Sequence, residues 1–163
     1  MDELASFSHW LSTTPVSAAL AGREWVVPAV QTVHILAIGA LITSTAMLDL
    51  RLAGWAGRGL SIRDMAARFT PWFWGALTIL ALTGLVLILA EPARELLSLL
   101  FWTKMGLVTA VALVMYQLGR SLEDSAYEAL PARKRVVMRT GAVASIILLL
   151  AIIWCGRWIG YTQ

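Results

Sequence analysis

Residues 25–50 read WVVPAVQTVHILAIGALITSTAMLDL, an apolar run with a histidine inside it and no charged residue before Asp49. About 20 apolar residues cross the roughly 30 Å hydrocarbon core of a bilayer as a helix, so this run is long enough to span. Its apolar residues are continuous rather than alternating, which predicts a helix and not a barrel strand. Pro28 falls in the first turn, where its missing N–H costs little. At about 1.5 Å of rise per residue, His34 lies roughly 13 Å beyond Trp25. That depth makes His34 the ionisable side chain placed farthest into the membrane.

Three more runs share this character. Spans are expected over about 26–50, 71–90, 99–119 and 137–160, the second opening at Pro71. The fold class that follows is an all-α membrane protein: an antiparallel four-transmembrane-helix bundle, with residues 1–163 as one transmembrane domain. Composition agrees, since 59% of residues are hydrophobic and 14% charged, against about 25% charged in soluble domains. The single Cys155 excludes an intramolecular disulfide and a multi-cysteine metal cluster. A net charge of +3 is too small to indicate a nucleic-acid partner, and two histidines nearly exclude an all-histidine metal site within one subunit.

Residues 1–24 lack the basic and apolar regions of a signal peptide. Leu4, Phe7 and Leu11 recur at helical spacing among polar residues, the pattern of a short amphipathic helix lying in the interface. Pro15 and Gly22 break the chain before the first span. Residues 92–100, PARELLSLL, predict a second short amphipathic helix between the second and third spans.

The two loops at 51–70 and 120–140 hold nine of the thirteen lysines and arginines. With four spans both loops lie on one side, so the positive-inside rule places them in the cytoplasm and both termini outside. Trp25, Trp102 and Trp158 then mark the outer interface, and Trp55, Trp72 and Trp74 the inner one.

Antiparallel topology also decides which residues share a depth. His34, Thr83 and Gly84, Lys104, and Arg157 all fall in the outer half, on four different spans. On the first span His34, Ile38, Leu41 and Thr45 share a face, and on the third Lys104, Val108, Val111 and Met115 do so. Intramembrane ionisable residues are functional by default, although a histidine can also simply bond a neighbouring helix, and Lys104 and Arg157 can anchor at the interface. Asp49 is expected to pair near Arg51 at the inner end, locally or between helices, which leaves no carboxylate deep in the bundle. Gly156 and Gly160 form a GxxxG that permits close helix approach.

A neutral imidazole in an apolar bundle, with cations nearer the water, suits an amphiphilic macrocycle such as haem b. His34 would ligate the iron, apolar side chains would pack on the porphyrin, and Lys104 or Arg157 would reach the propionates. Thr83 and Gly84 complete the expected cofactor site, and His34 is its one metal ligand. The associated chemistry would be electron transfer or porphyrin-linked redox chemistry. An alternative is a non-catalytic accessory or scaffold subunit of a homo-oligomer or larger membrane complex. A third is copper handling through His34, Met47, Met105 and Cys155.

The run from Arg23 to Gly54, with LTG at 82–84, FWTK at 101–104 and GRWIGY at 156–161, resembles an uncharacterised bacterial family of small four-helix inner-membrane proteins. It is more distantly similar to the HemJ-type protoporphyrinogen oxidase family and its CopD-like copper-resistance relatives. In the oxidase family a histidine and a lysine sit at a haem b site, and the positions that match here are His34, Thr83, Gly84 and Lys104. The resemblance thus implies a bacterial plasma-membrane location and a haem b ligand. The chain departs from that pattern in its N-terminal amphipathic extension and in having no acidic residue near the histidine.

Overall fold

The computed structural model describes residues 2–57, 59–124, 127 and 130–158, and of these the side chains of residues 2, 122–124 and 155–158 are not described. The chain forms α1 (Asp2–Ser12), α2 (Pro15–Ala21), α3 (Val26–Ala53), α4 (Ile62–Ala90), α5 (Pro92–Leu96), α6 (Leu99–Asp124) and α7 (Ala132–Trp158), with no strand among the described residues. Four helices are long and apolar enough to cross a membrane: Val26–Ala53, Ile62–Ala90, Leu99–Ser121 and Ala132–Trp154. The protein is an all-α, four-helix membrane protein.

The N-terminal segment is two helices rather than one. Thr14 is the reason: its hydroxyl accepts from the Ser17 N–H while Pro15 sits at the first helical position, a combination that starts a helix. The hydroxyls of Ser12, Thr13 and Thr14 donate to the carbonyls of His9, Trp10 and Leu11, each at 2.7 Å, which satisfies the last turn of α1. Leu4, Phe7 and Trp10 stay exposed on α1, as expected of a helix lying at an interface.

The second span begins nine residues before Pro71. Ser61 caps α4, accepting from the Asp64 N–H at 3.0 Å. From there Ile62, Met65 and Ala66 are buried and Phe69 packs against the core, the i, i+3, i+4, i+7 spacing of an inward stripe. An interior proline costs about 3 kcal/mol or more. Burying this stripe offsets that cost, so the helix runs through Pro71 instead of starting at it. The fourth long helix likewise starts earlier than the apolar run, at Ala132.

α3 packs along α4 and α7, α7 packs along α6, and α4 and α6 touch over only a short stretch. The core lies at the end that carries the basic loops. It combines Leu48 and Leu52 of α3, Met65 and Phe73 of α4, Val111, Met115 and Leu118 of α6, and Met138, Ala142 and Leu149 of α7. α3 ends there at Gly54, whose φ of 79° is the left-handed conformation that favours glycine at a helix stop. A guanidinium N–H of Arg139 donates to Ala53 O at 2.8 Å and ties that end to α7.

The opposite end is looser. Over its first fifteen residues α3 buries only Val26 and Ala37, and α4 buries nothing between Ala76 and Ala90. α1 and α2 cover this end, α1 resting on α5 and α2 on α4. A Glu91–Arg94 ion pair at 2.7 Å lies in the turn between α4 and α5, and the Trp102 indole donates to Leu96 O at 3.0 Å.

Candidate functional site

The inward stripes of three helices continue past the core into the loose end, and each meets a polar residue there. His34 lies seven residues before the buried Leu41, Thr83 seven after the buried Ala76, and Lys104 seven before the buried Val111. Two helical turns preserve the face, so all three side chains belong to core-facing stripes at positions where the apolar core has ended. None is fully buried.

His34 and Thr83 meet directly, with Nδ1 2.7 Å from the Thr83 hydroxyl oxygen. The Thr83 hydroxyl donates to Ile79 O at 2.7 Å, and Leu80 O lies 3.3 Å away. A hydroxyl has one proton. With that proton on the Ile79 carbonyl, the His34 Nδ1–H donates to Thr83, and Nε2 carries the free lone pair. Nε2 has no hydrogen-bond partner among the described residues. The pattern is that of a histidine ligand whose second nitrogen is held by a neighbouring acceptor.

Gly84 lies beside the ring. A Cβ there would stand 3.8 Å from His34 Cε1, an ordinary van der Waals contact, so this position of α4 lies against the imidazole and accepts a small side chain but not a large one. Lys104 of α6 is near enough for its charge to act on His34, and Glu95 of α5 is near enough to act on Lys104. Among the described residues the Lys104 ammonium has no ion pair within 4.0 Å. Two spans build the contact itself, the imidazole from α3 and its hydrogen-bond acceptor from α4, and Lys104 of α6 lies within electrostatic reach of it.

Arg157 falls in the last turn of α7, and its side chain lies outside the described residues, as does that of Cys155. Gly160 of the GxxxG is also outside them. Met47 does not join the site, because thirteen residues of α3 separate it from His34, about 20 Å along the axis. His34 and Met47 of one chain cannot ligate one ion, which removes Met47 from the copper set. No group of three His, Cys, Asp or Glu side chains gathers among the described residues to hold a bare metal ion.

Asp49 departs from expectation. It does not pair with Arg51, whose Nε donates to Leu60 O at 2.8 Å. The Asp49 carboxyl is fully buried between α3 and α7, hydrogen-bonded through Oδ2 to the Ser145 hydroxyl. The bundle does hold an interior carboxyl, and Ser145 on the core face of α7 is the only sequence signal that pointed to it.

The sequence matches one family over residues 21–162. The chain belongs to the family of unknown function DUF6644. The match takes in α3 to α7 and with them His34, Thr83, Gly84, Lys104 and Arg157, whereas α1 precedes it. No match was found among curated proteins or among solved structures.

Proposed function

We propose that this DUF6644 protein binds haem b through His34 Nε2 in the bacterial plasma membrane and serves in electron transfer or porphyrin-linked redox chemistry. One observation carries the proposal: the His34–Thr83 hydrogen bond at 2.7 Å, which, with the Thr83 proton on Ile79 O, leaves the lone pair of the second ring nitrogen available to a ligand. A lone imidazole suits a metal that brings its other ligands with it, as haem iron does, better than a bare ion that needs several protein donors. Lys104 supplies a cation for a propionate, and Arg157 stands at the same end of the bundle. The lysine and arginine bias of the two loops supports an orientation with those loops in the cytoplasm and both termini outside. His34 then lies toward the outer face, and an electron would enter or leave there.

A second function is supported by the loose end of the bundle. Exposed Ile35, Leu36, Leu82 and Leu85 flank the site and offer apolar surface to lipid or to another subunit. An accessory subunit of a homo-oligomer or larger membrane complex would cover that surface and need no cofactor. The two separate in one preparation: protein purified from haem-sufficient cells is assayed for haem per chain after conversion to the pyridine haemochrome. A stoichiometric yield supports haem binding. A haem-free protein that elutes as a defined complex supports the accessory role.

A further inference from the structure

The inner core contains a polar site unconnected with His34. Ser44, Thr45 and Asp49 of α3 and Ser145 of α7 are all buried among apolar side chains, Asp49 with 0% of its surface exposed. Ser44 and Thr45 are satisfied within their own helix, donating to Ala40 O and Leu41 O. Asp49 has no such local partner. Its Oδ2 bonds the Ser145 hydroxyl, and its Oδ1 is buried with no hydrogen bond.

Counting protons decides how such a pair is held. The Ser145 hydroxyl also lies 2.9 Å from Ala142 O, an acceptor for its single proton. If the carboxyl were ionised, that proton would be its sole hydrogen bond, and the charge would sit with one oxygen bare in an apolar core. A buried uncompensated charge costs several kcal/mol, far more than an unpaired neutral carbonyl oxygen. If the carboxyl carries a proton, Oδ2–H donates to Ser145 Oγ and Ser145 donates onward to Ala142 O. Every proton then has an acceptor.

Among the described residues, no charge on the helices around Asp49 supplies the missing compensation, and Arg133, Lys134 and Arg135 at the start of α7 are exposed. Arg51 on α3 is bonded to Leu60 O, and Arg139 on α7 to Ala53 O. On α4, Asp64 is held by Ser61 at 2.6 Å and Arg63 and Arg68 are exposed, while on α6 Arg120 lies 5.8 Å from the Tyr116 ring centre.

We propose that Asp49 is a proton-binding site: the folded protein holds it as a neutral carboxylic acid that donates to Ser145 across the α3–α7 contact. Losing that proton would place a bare charge between the two helices, so proton release at Asp49 is tied to loosening of α3 from α7. This rests on nothing at the haem site.

Infrared spectroscopy of the full-length protein at neutral pH, in a maltoside detergent that has no carbonyl group of its own, tests it, since a protonated carboxyl has a carbonyl stretch that a carboxylate lacks. Wild-type protein is expected to show this band, Asp49→Asn to lose it, and Ser145→Ala to keep it at a shifted frequency. A wild type without the band overturns the proposal whatever the variants do. So does a band that persists in Asp49→Asn. A third overturning result is a band abolished when sodium replaces choline in the buffer, because the ligand would then be an alkali cation.

Discussion

Replacing Thr83 by valine isolates the contact on which the haem proposal depends. Valine keeps the branched shape and removes the hydroxyl, while Ile79 O and Leu80 O keep their helical partners. What is lost is the acceptor 2.7 Å from His34 Nδ1. An inter-helix hydrogen bond of this kind within a membrane contributes about 0.6–2 kcal/mol to folding, too little to unfold a bundle whose core lies elsewhere. The larger effect falls on the ligand. An imidazole freed from its orienting partner typically loses 10–100-fold in metal affinity, or about 1.4–2.8 kcal/mol. Titrating haem into detergent-solubilised apoprotein and following the Soret absorbance gives the affinity directly. Thr83→Val is expected to bind 10–100-fold more weakly, and Thr83→Ser, which restores the acceptor, to recover most of that loss. Equal affinity and identical spectra for wild type and Thr83→Val would refute the role of Thr83 in holding the tautomer.

Further outcomes follow from the same geometry. Gly84→Ala is expected to bind haem normally, because a Cβ 3.8 Å from His34 Cε1 is an ordinary contact; Gly84→Leu is expected to push the ring aside and lower affinity more than tenfold, measured by the same titration. Lys104→Ala is expected to weaken binding of haem but not of its dimethyl ester, which has no propionate charge for the ammonium to meet; equal loss for both would remove Lys104 from that role. Ser61→Ala takes away the cap that starts α4 before Pro71, and thermal unfolding in detergent is expected to show a loss of about 1 kcal/mol.

The sequence carried much of this structure because lipid leaves so few alternatives. Continuous apolar runs must be helices, and four of them in order fix which ends lie together, so the shared depth of His34 and Thr83 is readable in the sequence alone. That His34 faces Thr83 in particular also depends on helix rotation, and there the seven-residue spacing to Leu41 and Ala76 was the available signal. Pro71 misled for a physical reason: it marks where charge gives way to apolar residues, yet the stripe from Ile62 to Phe69 already has helical period and drives the helix back to Ser61. Asp49 misled because Arg51 is near in sequence while Ser145 is 96 residues away. Residues two apart on a helix point in different directions, and Arg51 turns to Leu60 O instead. The loose packing of one end was invisible in composition, since the loosely packed half of α4, ALTILALTGLVLILA, is more apolar than the half that packs into the core.

The central claim is that His34 Nε2 is a haem ligand, and the visible spectrum of His34→Ala beside wild type measures it most directly. Both proteins would be purified under identical conditions, supplied with equimolar haem in lipid nanodiscs and stripped of unbound haem. Wild type is expected to retain a Soret band, His34→Ala to lose it, and added imidazole to restore it in the variant. A wild type with no Soret band, or a His34→Ala spectrum that superimposes on it, would contradict the claim.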